Sequence, residues 1–373
     1  MNDRPILFNM TDAEMTEFLA KLGQPRFRAK QVRDWLDRGA PSAADMKNIP
    51  ETLRRDMDAR AMMQPLTIIK KLQSSDGQTT KFLMQTIDGQ QIECVLMRTT
   101  YGNSVCVSSQ AGCAMGCKFC ASTLLGLRRN LTANEIFAQV LAAQWELRND
   151  RTSDKPIRPN GDANNGDVSH IVIMGTGEPL QNTENVIGFM EMANKKLNIG
   201  WRRITLSTCG IVPGIRELIT WGRPINLAIS LHAPTDEMRR QIMPINNKYS
   251  LSEVLAAADE FTNLHNRQLM IEYILLGKSD GQGGVELYNA REEDALKLSE
   301  LLRGKNCMVN LIPWNSVDER DFASPSGNAV HRFQDMLIKN GIHTRIRRER
   351  GTDIGSACGQ LRLKHARDNN KSE

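Results

Sequence analysis

No apolar run in the 373-residue sequence approaches the roughly 18 residues that a membrane-spanning helix needs, so a helical membrane protein is excluded. The first residues, MNDRPILFNMTDAEM, lack a basic segment followed by a long apolar one. A secretory leader is therefore not expected, and a cytoplasmic protein is. Extremes of composition are missing too: 40% hydrophobic and 24% charged residues are ordinary for a globular chain with a real core. A large excess of either charge is lacking, with 48 Lys and Arg against 43 Asp and Glu, and a net +5 permits a nucleic-acid partner without requiring one. There is no internal repeat beyond an alternation of strands and helices. The stretch SSQAGCAMGCKFCASTLLG, residues 108–126, is itself one ligand short: it holds three cysteines where a closed zinc site takes four.

Cysteine is nevertheless plentiful, at positions 94, 106, 113, 117, 120, 209, 307 and 358. In a reducing compartment, clustered cysteines more often hold metal or perform redox chemistry than form disulfides. Cys113, Cys117 and Cys120 stand as C-x3-C-x2-C, with Gly112 and Gly116 easing the backbone around a compact loop. Three readings stay open on spacing alone: a zinc ion borrowing a distant fourth ligand, a [4Fe-4S] cluster on three thiolates with one iron open to a ligand, or core cysteines. Cys94, Cys209 and Cys307 lie in apolar strand contexts and are expected in the core. Cys106 precedes the loop by seven positions, and Cys358 sits among Gly351, Gly355 and Gly359 in a segment that looks built to move.

Along the chain, residues 1–68 read as a small helical N-terminal domain. Thr11 and Glu14 form a capping box, and Arg26, Arg28, Lys30 and Arg33 crowd the second helix as candidate phosphate contacts. Residues 69–99 read as a β-ribbon linker. From 100 to 348, strand and helix patterns alternate, starting with a helix over 132–147 capped by Thr132 and Glu135. Such alternation argues for parallel strands joined by helices, as a β/α barrel or a doubly wound sheet. Arg345, Arg347, Arg348 and Arg350 form a second basic cluster, residues 149–166 read as a surface insertion, and 349–373 as a C-terminal segment ending in a disordered tail. The expected carboxyl ends of the strands carry Gly177 and Glu178 (in MGTGEP), Ser207, then Ser230, Leu231 and His232, then Asn315. Gly177 would let backbone approach a ligand, and Glu178 would offer a carboxylate to an ammonium group.

The cysteine spacing, with Phe119 before the last cysteine, resembles the radical S-adenosylmethionine superfamily. CVSSQAGCAMGCKFC, MGTGEP, RRITLST, ISLHAP, MPINNKY, NLIPWN and ACGQL, in this order, narrow the likeness to the RlmN family of dual-specificity RNA methyltransferases over residues 10–363. The resemblance implies a partial (β/α)6-type radical SAM barrel, with a [4Fe-4S] cluster on Cys113, Cys117 and Cys120 and S-adenosylmethionine at the strand ends. It implies methylation of adenine C2 in 23S rRNA and tRNA. Cys358 would carry the carbon as an S-methyl group, Glu93 would accept the C2 proton, and Cys106 would release the product by forming a disulfide with Cys358. An external electron donor, such as flavodoxin and its reductase, would feed the cluster. A Cfr-like enzyme acting at adenine C8, a zinc-stabilised RNA-binding protein without catalysis, and another radical enzyme such as a glycyl-radical activator are the alternatives.

Overall fold

The structure is a computed structural model of the chain and describes residues 4–149, 166–279, 284–347, 351–354 and 360–370. Cys358, Arg348, Arg350 and nearly all of the expected insertion lie outside the described residues.

Three helices open the chain: α1 (Asp12–Lys21), α2 (Phe27–Asp37) and α3 (Glu51–Arg60). Thr11 and Glu14 cap α1 reciprocally, as the sequence predicts. Met15, Leu19, Val32, Leu36, Leu53 and Met57 recur at helical spacing and are all buried. They join one core with the rest of the molecule, in which Phe8 stacks on Phe137 at 6.1 Å.

The chain then forms β1 (Leu66–Gln73), β2 (Thr79–Thr86), β3 (Gln91–Thr99) and β4 (Gly102–Cys106), all antiparallel neighbours. A short ladder, β5 (Gln110–Ala111) with β6 (Arg129–Asn130), ties off the cysteine loop before α4 (Ala133–Asn149). The alternating series follows: β7 (Val168–Ile173), α5 (Thr183–Leu197), β8 (Ile204–Thr208), α6 (Val212–Trp221), β9 (Asn226–Ser230), α7 (Asp236–Ile242), α8 (Leu251–His265) and β10 (Leu269–Leu275). A hairpin of β11 (Gly277–Ser279) and β12 (Val285–Leu287) leads to α9 (Glu292–Leu302), β13 (Cys307–Pro313), α10 (Gly327–Lys339), β14 (Thr344–Ile346) and α11 (Gln360–Asn370).

Among the described residues, ten strands pair in the order β1-β2-β3-β4-β7-β8-β9-β10-β13-β14. From β4 onward every pairing is parallel, as the helix-connected pattern requires. The expected ribbon linker is thus a continuation of the main sheet, because β4 pairs antiparallel with β3 and parallel with β7. A pairing that skips the whole cysteine loop and α4 leaves no local mark in the sequence.

Side chains alternate between two unlike faces. Ile171, Ile173, Leu206, Leu227, Ile229, Ile271, Tyr273, Val309 and Leu311 are buried in the apolar core. The other face carries Lys81, Glu93, Cys106, Ser207, Ser230, Glu272 and Asn310, and several of its members, Ser207, Ser230 and Asn310 among them, are only half-buried. This polar inner face is where a ligand fits. The expected disordered tail is also corrected: α11 occupies most of it, anchored by buried Leu361 and Leu363, and packs on β3 and on the turn Ala121–Thr123 just after Cys120.

Candidate active site

The loop after β4 carries Cys113, Cys117 and Cys120; Cys117 lies in a second apolar cluster with Ala121, Cys209, Met243, Leu276, Trp314 and Leu363, and Cys120 packs against it. Its backbone is held from several sides. Lys118 N donates to Ile242 O at 2.9 Å, Trp314 Nε1 to Phe119 O at 3.2 Å, and Arg320 Nη2 to Cys120 O at 2.7 Å. Gly112, at φ +86°, lies so close to the far side of the loop that a Cβ there would stand 1.8 Å from Gly126 O. A Gly112→Ala chain is accordingly expected to lose most of its bound iron after anaerobic reconstitution, as read by metal analysis. Retention of wild-type iron would mean that the loop opens without cost.

Among the described residues, no three His, Cys, Asp or Glu side chains converge closely enough to hold a single metal ion. The three thiols do share one enclosed space and repel one another as thiolates. Burial first, and the neighbouring thiols after it, push Cys113 up to about 12 and Cys117 higher still. Soft thiol donors in an apolar shell, ionisable only against a strong local cation, fit an iron-sulfur cluster, whose thiolates sit on separate irons. Cys209, expected in the general core, is instead part of this shell, where burial first and then Glu178 and Cys117 push its thiol pKa up.

Glu178 is tied to two strand ends. Its Oε1 accepts from Leu180 N at 3.0 Å and Thr208 Oγ1 at 2.7 Å, and its Oε2 from Cys209 N at 2.8 Å. Burial raises its pKa, opposed by these same donors. The carboxylate thereby joins the end of β7 to the end of β8, and with one donor on Oε2 it keeps capacity for a further one. What can also approach a ligand here is the backbone at Gly177, whose φ of +114° and contacts with Ser109 and Gln110 exclude any side chain.

The remaining strand-end residues form a connected rim. Ser207 Oγ lies 3.3 Å from Ser230 Oγ. Leu231 N donates to Glu272 O at 3.0 Å, and His232 Nδ1 accepts from Ile274 N at 3.0 Å, fastening the Ser230–Leu231–His232 turn to β10. Burial, with Arg239 nearby, pulls the His232 pKa down to about 3, so the ring is neutral and carries its proton on Nε2. It packs edge-on against Phe119 at 4.9 Å. Asn315, half-buried, follows Trp314 just past β13.

Beneath the rim, Glu93 is 3% exposed. Lys81 Nζ lies 2.9 Å from its Oε2, and Arg362 N, in the first turn of α11, donates to its Oε1 at 2.7 Å. Cys106 is on the same inner face, opposite Val95 and so diagonal to Glu93. Two buried cations in this region escape a reading of the sequence. Lys81 looks like a surface lysine in a polar strand. Arg239, in the charged run DEMRRQI, looks like solvated helix surface, yet it is fully buried and donates to Cys209 O, Ser230 O, Leu231 O and Asn246 Oδ1.

A family model described as "Ribosomal RNA large subunit methyltransferase N-terminal domain" matches residues 6–63, and one described as "Radical SAM superfamily" matches residues 155–282. A protein of Clostridium acetobutylicum named "Probable dual-specificity RNA methyltransferase RlmN" is 44% identical, over 95% of this chain and 96% of its own. The chain belongs to the RlmN family. A Clostridium tetani RlmN relative is 42% identical over 98% of each chain. The crystal structure of a radical SAM methyltransferase from Sphaerobacter thermophilus superposes with a TM-score of 0.80 at 40% identity, covering 95% of this chain and 98% of that one. As an RlmN family member the chain is a radical SAM RNA methyltransferase, and a [4Fe-4S] cluster and S-adenosylmethionine are the cofactors of its class. Among the described residues, no helix is long and apolar enough to cross a membrane.

Proposed function

We propose that the enzyme methylates C2 of adenine in 23S rRNA near the peptidyl-transferase centre and in tRNA at position 37, 3′ of the anticodon, working in the cytoplasm with a flavodoxin-type electron donor. The observation that carries this reading is the position of Glu93 on the inner face. Its carboxylate meets a backbone N–H of α11 only four positions beyond Cys358 in sequence, and Cys106 lies diagonally across the same face. A proton acceptor, a carbon carrier and a releasing thiol are what substitution at an electron-poor ring carbon needs, since C2 of adenine is no nucleophile toward a sulfonium methyl group.

Cys113, Cys117 and Cys120 would hold the cluster, with Gly177, Glu178, Ser207, Ser230, Leu231, His232 and Asn315 around the cofactor. When bound, these groups supply the methyl carbon and the one-electron chemistry. Cys358 carries that carbon to C2, giving an RNA–protein bond through its sulfur. Glu93 would take the C2 proton, and the odd electron of the adduct would return to the cluster. Cys106, as a thiolate, would then attack the Cys358 sulfur: the S–C bond breaks with its electron pair left on carbon, which takes up a proton to become the methyl group, an S–S bond forms, and two electrons and two protons from an external reductant restore both thiols. Mass spectrometry of nucleosides after turnover tests the reading: 2-methyladenosine supports it, and 8-methyladenosine or no product overturns it.

The RNA would be held partly by α2. Phe27 is 57% exposed with the Arg28 guanidinium over its ring, and Arg26 and Lys30 are exposed beside it. Arg33, expected in this group, instead donates to Phe8 O and Met10 O and is a structural residue. Reversing charge in an Arg26→Glu/Arg28→Glu chain is expected to weaken RNA binding roughly tenfold or more and to lower the salt slope by about 2, leaving cofactor cleavage intact. Unchanged affinity in a filter-binding titration would remove α2 from the RNA surface.

A further inference from the structure

Glu272 is a buried carboxylate that the reading above does not use. It is 4% exposed, and on the inner face it stands between Ser230 of β9 and Asn310 of β13, both in register with it. Asn310 Nδ2 donates to its Oε1 at 2.9 Å, while Oε2 is buried and has no hydrogen-bond partner among the described residues. Leaving such an atom without a donor costs free energy that native folds rarely accept. Its surroundings offer no obvious donor. Burial raises its pKa, opposed by Arg347 on the neighbouring edge and by the Asn310 bond; Arg347 makes no hydrogen bond or ion pair with it, and Met270 and Ile274 flank it along β10. The backbone of β10 is rigidly placed at this point, because Glu272 O and Ile274 N both bond to the Leu231–His232 turn.

We propose that Glu272 Oε2 is the acceptor for a donor hydrogen of the cofactor's adenosine, either a ribose hydroxyl or the 6-amino group. The assignment rests on the cofactor site proposed above. It follows from the polar row Ser207, Ser230, Glu272 and Asn310, in which each side chain is adjacent to the next and one acceptor is left over. The target adenine of the RNA carries the same donors, so the test must separate the two sources. A carboxylate suits the position because it accepts from Asn310 and from the ligand at once. In a Glu272→Gln chain the single amide oxygen can satisfy only one of them, with the NH2 left on the other side.

The experiment uses the anaerobically reconstituted full chain and measures binding of S-adenosylhomocysteine by equilibrium dialysis. It does the same for 5′-deoxyadenosine, its 2′- and 3′-deoxy forms, and 5′-deoxyinosine. In the wild type, one of these three analogues is expected to bind roughly tenfold or more weakly than 5′-deoxyadenosine, and in Glu272→Ala that difference disappears. Where Glu272→Ala fails to fold, Glu272→Met, which fills the volume and offers no oxygen acceptor, carries the comparison, with iron content as the check that the cysteine loop is intact. Equal penalties in wild type and variant overturn the proposal. So does a variant that binds S-adenosylhomocysteine normally but loses affinity for an RNA oligonucleotide, which would assign Oε2 to the substrate base. Failure of the RNA product analysis bears on the proposed function and leaves these binding differences readable.

Discussion

An Arg239→Met chain is expected to lose about 3–5 kcal/mol of stability, a penalty large for any single substitution. Arg239 is fully buried and faces no carboxylate at ion-pair distance among the described residues. It donates instead to four acceptors: Cys209 O at 2.6 Å, Ser230 O at 3.1 Å, Leu231 O at 3.0 Å and Asn246 Oδ1 at 3.0 Å. Three of these are carbonyls at or just beyond the ends of β8 and β9, where the strands have stopped pairing and the backbone must find other donors. Methionine fills the volume and supplies no N–H, so several buried acceptors are left bare at about 1–3 kcal/mol each, less whatever relaxation recovers. Burial pulls the Arg239 pKa below the usual guanidinium value, yet a guanidinium in a protein stays charged. It is therefore also a fixed cation beside Cys117 and Cys209. Lysine is not a substitute, because one ammonium cannot span the fork that reaches both strand ends. A urea titration of the apo chain, with iron content measured in parallel, checks the expectation. A shift worth less than about 1 kcal/mol would mean that water reaches the strand ends and that the clamp is dispensable.

Arg239 also explains where sequence reading stops. The cysteine loop, the capping boxes at Thr11 and Thr132, and the strand-helix alternation are local patterns, and they stand in the structure as the sequence spells them. Arg239 and Lys81 are indistinguishable from surface charge when only their neighbours in sequence are visible. Their burial comes from elements distant in the chain. The same holds for Glu93, which read alone is a strand carboxylate facing water, and which is dry because β2 supplies Lys81 and α11 lies over it. Glu178 shows the same limit: its motif advertises a carboxylate, but the bonds from Thr208 and Cys209 that hold it come from the end of β8, out of sight in the local sequence. The tail reads as disordered because HARDNNKSE is polar, whereas the anchoring residues Leu361 and Leu363 lie just upstream.

Replacing Glu93 by glutamine is expected to cut RNA methylation by about 10²–10⁴-fold, the range that general-base catalysis contributes, while cleavage of the cofactor continues. The amide has nearly the shape of the carboxylate but cannot take up a proton from C2. RNA should then accumulate in covalent attachment to the protein, visible as a slow band on a denaturing gel that nuclease collapses. The same substitution removes the carboxylate paired with a lysine that is itself 0% exposed, and breaking a buried ion pair from one side costs about 3–5 kcal/mol. A loss of activity from Glu93→Gln alone could therefore be a loss of folded enzyme. The double variant Lys81→Met/Glu93→Gln separates the two causes, because it removes both charges and restores a neutral interior. If the proton acceptor is Glu93, the double variant regains stability in a thermal melt and still traps RNA. Should methylation return along with stability, the carboxylate serves only to neutralise Lys81, and some other group takes the proton.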